Sequence, residues 1–252
     1  MMKALITGAS SGIGRDMARY LANLKFDLIL VARREDRLEE LKRELKGVSV
    51  RCIKADLSRY EECLRLYEET KDKEINLLIN NAGFGLAGEF EKTDLARELE
   101  MVDVNIKALH TLTKLYLKDF VKRDSGRILN VASSAGFMPG PLMATYYATK
   151  NYVLRLTESI SEELRRKGSR VTLSALCPGP VKTEFDRVAS VKFSMEGISS
   201  EYCAKTAIDQ TLKGKLIIIP GTSIKAGLFF RRFISEKALM RIAYSFQRRK
   251  QY

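Results

Sequence analysis

The stretch TGASSGIG, residues 7–14, decides the fold. It follows the apolar run KALIT (3–7) and opens a helical pattern that reaches from Gly12 to about Leu24. Its glycines stand at 8, 12 and 14, a GxxxGxG spacing. Glycine lets the backbone turn sharply and approach a pyrophosphate, and the helix N-terminus behind it offers free N–H groups to the anion. A glycine triplet alone is weak evidence. Set between a strand and a helix, it signals a dinucleotide-binding turn. The plain alternative is a tight turn with no ligand, but three glycines and two serines carry a backbone entropy cost that such a turn does not need.

Outward from this turn the same alternation repeats. FDLILVA precedes REDRLEELKREL, VSVRCIK precedes SRYEECLRLYEET, and INLLIN precedes a long helical stretch near 93–123. GRILNVA precedes YYATKNYVLRLTESISEELRRKG, RVTLSAL leads to a loop and a helix, and KLIIIP is the last strand. Repeated strand–helix units build a parallel sheet covered on both faces. Strands so apolar and β-branched are those buried on both sides. The pattern predicts an α/β fold: one Rossmann-type, doubly wound parallel sheet of about seven strands. Residues 1–222 are expected to form the dinucleotide-binding and catalytic domain, with 223–252 as a basic helical extension of it. Gly47 and Gly168 follow basic helix ends and predict helix stops. Ser58 and Ser200 are predicted N-caps.

The composition excludes several classes. The chain has 252 residues, 45% apolar and 30% charged, which suits a globular protein. No run of eighteen apolar residues exists, so no transmembrane helix is expected. The N-terminus MMKALITGAS runs straight into the glycine motif and reads as a first strand, not a signal peptide. Cys52, Cys63, Cys177 and Cys203 are scattered without a CxxC, as reduced thiols of a cytoplasmic protein would be. His110 is the one histidine, so no metal site is expected. The net charge is +13, and residues 225–252 hold eight Lys or Arg against Glu236 alone. Such charge suits nucleic acid, anionic lipid or phosphorylated ligands. There is no nucleic-acid motif and no tryptophan for stacking, so no nucleic-acid partner is expected.

At the end of the second predicted strand a dinucleotide fold often carries an acid for the ribose hydroxyls. Here the residues are Ala32-Arg33-Arg34, and Arg33 lies nineteen positions after Gly14. An acid would repel a 2′-phosphate, whereas a guanidinium can grip one. Position favours Arg33, leaves Arg34 open and lets Arg15 assist; the reading is NADP(H). The plain alternative is a pair of solvated arginines at the start of a charged helix.

ATYYATK (144–150) offers two tyrosines, with Lys150 four residues after Tyr146 and three after Tyr147. Together with TGASSGIG, NNAG (80–83), Asn105, NVASSAG (130–136) and CPGPVKT (177–183), it resembles the short-chain dehydrogenase/reductase family. The motifs stand in family order over residues 3 to about 220. The resemblance implies a Tyr-x-x-x-Lys pair, which selects Tyr146 with Lys150, and a serine thirteen residues earlier, which selects Ser133 over Ser134. It implies Asn105 as fourth member, anchoring a water relay to Lys150. Tyr146 would then exchange a proton with a carbonyl or alcohol oxygen. Ser133 would hold that oxygen, and Lys150 would lower the tyrosine below its ordinary value of about 10. Tyr147 is left as a helix contact or pocket wall, and His110 as a packing or subunit contact.

The same resemblance implies the NADP(H) contacts. Gly8, Ser10, Ser11, Gly12, Ile13 and Gly14 would cradle the phosphates. Arg33, Asp56 and Leu57 would meet the adenosine end. Asn80, Ala82 and Gly83 would shape the wall around its ribose. Tyr146 and Lys150 would reach the nicotinamide ribose, with Pro178, Gly179, Val181 and Thr183 around the nicotinamide. The implied activity interconverts a carbonyl and an alcohol. The implied state is a homodimer or homotetramer.

Residues 184–200 are the implied substrate loop. Phe185, Val188, Val191, Phe193 and Met195, with GFMPGPLM (136–143), suggest an apolar pocket for a ketoacyl, steroid-like or lipid ketone. In the tail, Leu239, Ile242, Ala243 and Phe246 fall on one helical stripe. The favoured expectation is that it packs on the domain's own body or on a sister subunit, near the substrate loop; the alternative is peripheral contact with a membrane through 223–252. A non-catalytic NADP(H) sensor and a membrane-surface interaction protein are the alternative functions.

Overall fold

Side chains along the strands turn alternately into two layers, with the two-residue period of a pleated chain. In the computed structural model, which describes residues 1–189 and 197–248 apart from the side chains at 186 and 188, Leu28 and Leu30 face one layer. Ile29 and Val31 face the other. The chain runs through β1 (Lys3–Thr7), α1 (Gly12–Asn23), β2 (Asp27–Ala32), α2 (Glu35–Glu44), β3 (Val50–Lys54) and α3 (Tyr60–Thr70). It continues through β4 (Leu77–Asn80), α4 (Leu95–Val102), α5 (Leu109–Lys122), β5 (Arg127–Val131), α6 (Ala144–Arg166) and β6 (Thr172–Leu176). Beyond these lie β7 (Val181–Lys182), α7 (Phe185–Val188), β8 (Ile198–Ser199), α8 (Ser200–Leu212), β9 (Ile217–Ile218), α9 (Thr222–Phe230) and α10 (Glu236–Arg248).

Seven parallel strands form one sheet in the order β3-β2-β1-β4-β5-β6-β9. Leu5 of β1 lies opposite Ile29 on one side and Leu78 on the other. The order reverses between β1 and β4, so the connections leave their carboxyl ends in opposite directions and open a crevice there. One face packs under Met17 and Leu21 of α1, Leu38 and Leu41 of α2, and Ala204 and Ile208 of α8. The other packs under Leu66 of α3, Leu112, Tyr116 and Phe120 of α5, and Leu164 of α6. This is the predicted doubly wound sheet.

Local differences have local causes. The long helix near 93–123 is interrupted by a π-helical segment, Asp103–Ala108, which carries the buried Asn105. Such wide turns inside α-helices often sit at functional sites. Ser58 does not cap α3: its hydroxyl and backbone N–H both go to Asp56. The cap of α8 is Ser199, whose Oγ accepts from the Tyr202 N–H at 3.1 Å, while Ser200 is the first helical residue and bonds to Asp16. Gly168 does follow α6 with φ +65°.

The tail departs most. The inward face of α10 is Leu239, Ala243 and Gln247, whereas Ile242 and Phe246 of the predicted stripe are 43% and 46% exposed. This orientation carries a polar residue, Gln247, inward with Leu239 and Ala243, where it pairs with Tyr147. No residue of α9 is buried. Among the described residues no helix is long and apolar enough to cross a membrane.

Candidate active site

The glycine loop is shaped by close approach. Gly8 (φ +65°) lies against residue 82; a Cβ there would come within 2.8 Å of Ala82 Cα. A Cβ on Gly14 would overlap both Asn81 Nδ2 and Gly8 O. Gly12 (φ +52°) lies beneath Thr183, which brings the CPGPVKT turn over the loop. Asn81 Nδ2 donates to the carbonyls of Thr7 (3.0 Å) and Gly8 (3.1 Å). Thr7 Oγ1 accepts from the N–H groups of Asn81 and Ala82, each at 3.0 Å. Ser11 stands at the N-cap of α1 without a side-chain capping bond, so the first-turn N–H groups stay open to an anion.

Ser11 is instead held by arginine. Arg34 Nη2 donates to Ser11 Oγ (2.8 Å) and Ser10 Oγ (3.3 Å), and Nη1 donates to Glu184 (3.0 Å). Arg33, favoured by position, reaches sideways to Glu100 of α4 at 2.8 Å and is more exposed. Both arginines line the cleft. Arg37 also donates to Glu184, at 2.8 Å. Hydrogen bonds from Arg37 and then Arg34 hold the Glu184 carboxyl down to about 2.

At the other end of the cleft β5 delivers Ser133 and α6 delivers Tyr146 and Lys150, all three buried. Ser133 Oγ accepts from the Ala135 N–H at 3.1 Å, and its hydroxyl is near enough to Tyr146 to oppose the effect of burial on that phenol. Lys150 Nζ donates to Val131 O at 2.9 Å and lies 5.8 Å from the Tyr146 ring centroid. A Cβ on Gly136 would come to 2.7 Å from Lys150 O, so the Ser133 loop sits directly on α6.

Burial dominates the electrostatics. It pulls Lys150 down to about 8. It raises Tyr146 above the ordinary tyrosine value, opposed only by the Ser133 hydroxyl. The expected lowering of Tyr146 by Lys150 is therefore not produced by the protein groups alone. Desolvation penalises both charged forms, and it outweighs the ammonium that stands over the ring.

Asn105 braces this end from behind. Its Nδ2 donates to Phe84 O (2.9 Å) and Thr149 Oγ1 (3.1 Å), and Oδ1 accepts from the Phe84 N–H (3.1 Å). Both amide hydrogens are engaged, so the remaining Oδ1 lone pair is the side-chain atom left for a water bridge. A Cβ on Gly83 would meet Asn105 Oδ1 at 2.8 Å and Lys150 Nζ at 3.4 Å, so both atoms face that glycine.

The cleft, about 450 Å³, joins the two ends. Among the expected residues, Gly8, Ser10, Ser11, Gly12 and Ile13 line it, as do Asp56, Leu57, Ala82 and Gly83. So do Pro178, Gly179, Val181 and Thr183. Gly14 and Asn105 support it from behind. Asn80 is a correction: it is 2% exposed, with its amide on Thr113 (3.0 Å) and Asn130 (2.9 Å) beside the sheet. Its neighbour Asn81 faces the cleft instead. Within NNAG the two-residue period gave a signal that was missed, since the inward member of a strand end is not the one facing the crevice. Phe185 packs 5.5 Å from the Tyr146 ring. Val191, Phe193 and Met195, and the side chain of Val188, lie outside the described residues.

The profile of the short chain dehydrogenase family matches residues 2–192. The chain belongs to the short-chain dehydrogenase family. A short-chain dehydrogenase from Sphingobium yanoikuyae, solved in complex with NADPH, superimposes with a TM-score of 0.85 at 31% identity, covering 92% of this chain and 93% of that one. The very-long-chain 3-oxoacyl-CoA reductase of Homo sapiens is 30% identical over 212 residues, 81% of this chain and 67% of that protein. The 7beta-hydroxysteroid dehydrogenase of Clostridium sardiniense is 35% identical over 162 residues, 63% of this chain and 62% of that protein. As a short-chain dehydrogenase the chain is an oxidoreductase working between alcohol and carbonyl with a nicotinamide cofactor. The glycine cradle, whose close contacts exclude any Cβ at positions 8 and 14, fits the dinucleotide of this family.

Proposed function

We propose that this short-chain dehydrogenase is an NADP(H)-dependent enzyme that interconverts an apolar ketone and its alcohol. The observation that carries the proposal is the single cleft joining the Arg34-clamped glycine loop to Ser133, Tyr146 and Lys150. Bound there, NADP(H) supplies or accepts the hydride. Gly8, Gly12 and the open N-terminus of α1 hold the pyrophosphate. Arg34 and Arg33 receive the 2′-phosphate, a role for which a carboxylate would be repulsive. Asp56 and Leu57 border the adenine. Val181 and Thr183 border the nicotinamide.

The protein's own groups handle the proton. Tyr146 stays protonated well above neutral pH, which suits it to donate to a ketone oxygen. Ser133, beside Tyr146, donates to the same oxygen as charge develops on it. Lys150 loses or gains its proton near pH 8, so it can resupply the phenol. Asn105 holds the Gly83 strand end and α6 at the spacing this requires. The apolar wall of Phe84, Met143 and Phe185 supports a ketone with an apolar body. A ketoacyl or steroid-like substrate is in keeping with what the names of the two curated relatives describe. Reduction of a ketone panel with NADPH, paired against NADH, tests the proposal: turnover with neither cofactor would sink it.

We further propose a homodimer or homotetramer closed through α5 and α6, within a cytoplasmic protein, with 223–252 as part of the same domain. Leu239, Ala243 and Gln247 support that last point by packing inward. One observation favours a second property. Phe229, Phe230 and Phe233 are 50%, 62% and 73% exposed beside Arg231 and Arg232. Aromatic rings flanked by arginines fit an anionic membrane surface. Peripheral contact with anionic lipid is therefore assigned to α9 and the turn after it, not to the stripe of α10.

A further inference from the structure

Gln247 is a polar residue where the helix calls for an apolar one. It shares the inward face of α10 with Leu239 and Ala243 and is 3% exposed. Its Nε2 donates to the Tyr147 hydroxyl at 2.5 Å. Among the described residues its Oε1 is buried without a hydrogen-bond partner. Leaving such a group unsatisfied carries a desolvation penalty that a leucine at this position would avoid. Both Gln247 and Tyr147 line the cleft that holds Ser133 and Tyr146. Between the two tyrosines the surroundings are apolar: Phe84, Met143 and Phe185 pack with them. Tyr147 and Tyr146 stand edge to face, with ring centroids 6.1 Å apart.

We propose that Gln247 and Tyr147 form a hydroxyl-binding subsite of the substrate cavity, so that the substrate is an apolar ketone bearing a second, neutral oxygen remote from the reacting carbonyl. The inference deepens the reductase reading and rests on Tyr146 marking the reacting end. Turning the Gln247 amide about its last torsion presents the unsatisfied end to the cavity. A hydroxyl both donates and accepts, so it completes the amide whichever way that group is turned. Burial keeps the Tyr147 phenol protonated, so the pair is neutral and favours a neutral group over a charged one. Gln247 lies beyond residues 2–192 matched by the family profile, so this specificity belongs to the tail.

The test uses 4-alkylcyclohexanones of increasing chain length, each paired with its terminally hydroxylated analogue, and reads the ratio of kcat/KM within each pair. In the wild type the ratio should reach about tenfold at the chain length that spans the cavity, the scale of one net hydrogen bond. It should fall to about one in Gln247→Leu and in Gln247→Met, whose unbranched chain suits a helix should the leucine variant fail to fold. A ratio of one in the wild type at every length, or a ratio that survives in a folded variant, would overturn the subsite. If no ketone of either kind is reduced, the reductase reading fails. The rise in Tm caused by each ketone in the presence of NADPH, compared within pairs, then decides the subsite without turnover.

Discussion

Arg34 joins two parts of the cleft: one nitrogen lies 2.8 Å from Ser11 Oγ on the glycine loop and another 3.0 Å from Glu184 just after the CPGPVKT turn. A carboxylate held down to about 2 by Arg37 and Arg34 is a constant anion at any working pH. It occupies the guanidinium that a 2′-phosphate would use.

Replacing Glu184 by Gln should therefore tighten NADPH several-fold and leave NADH nearly unchanged. Arg34→Ala should weaken NADPH by ~1–3 kcal/mol, the scale of a lost charge-assisted contact. Arg33→Ala should cost less, because that side chain is drawn toward Glu100. Titration by protein-to-cofactor fluorescence transfer measures all three; equal wild-type constants for NADPH and NADH would refute the assignment.

Burying Lys150 costs stability. Its folded-state pKa, about 8, lies below its ordinary 10.5, so the folded protein binds the proton less well than the unfolded chain does. The penalty is full below about pH 8, shrinks as pH rises, and is gone above about 10.5. Lys150→Met should abolish turnover. Its unfolding free energy relative to wild type should be most favourable near neutral pH and decline between pH 8 and 10, as read by urea denaturation. A pH-independent difference would contradict the account.

The oligomer proposal rests on the exposed faces of α5 and α6, where His110 bonds to Tyr152 at 2.7 Å. Light scattering at micromolar concentration should give two or four chains, and Tyr152→Glu should shift the mass toward one. A single-chain mass for the wild type would count against it.

For the tail, wild-type protein should co-sediment with phosphatidylserine-containing vesicles at low ionic strength and release as salt is added. Changing Phe229, Phe230 and Phe233 together to Ser should remove the binding while NADPH affinity stays. Indifference of the wild type to such vesicles would rule out the lipid contact.

Much of this architecture was legible because its signals are periodic or positional. Apolar runs alternating with helices specify the sheet, and Gly8, Gly12 and Gly14 specify the turn. The choice of Tyr146 over Tyr147 came from spacing to Lys150, and the structure places Tyr146 with Ser133 while Tyr147 turns to Gln247. What stayed hidden depends on contacts distant in sequence. Arg34 is adjacent to Arg33, and only the fold shows which of the two meets Ser11. Glu184 is 150 positions from Arg34. The inward turn of Gln247 defeats an apolar-stripe argument, because its partner Tyr147 lies a hundred positions away. The sign of the Tyr146 shift needed burial, which spacing to a lysine does not report.

The central claim is that Tyr146, and not Tyr147, moves the proton during carbonyl reduction. The direct measurement is NADPH oxidation under single-turnover conditions with a reducible ketone, in wild type, Tyr146→Phe and Tyr147→Phe. The account predicts a loss of about a thousandfold or more in Tyr146→Phe with NADPH affinity nearly intact, and a loss of at most about tenfold in Tyr147→Phe. Full activity in Tyr146→Phe, or the larger loss in Tyr147→Phe, would contradict it.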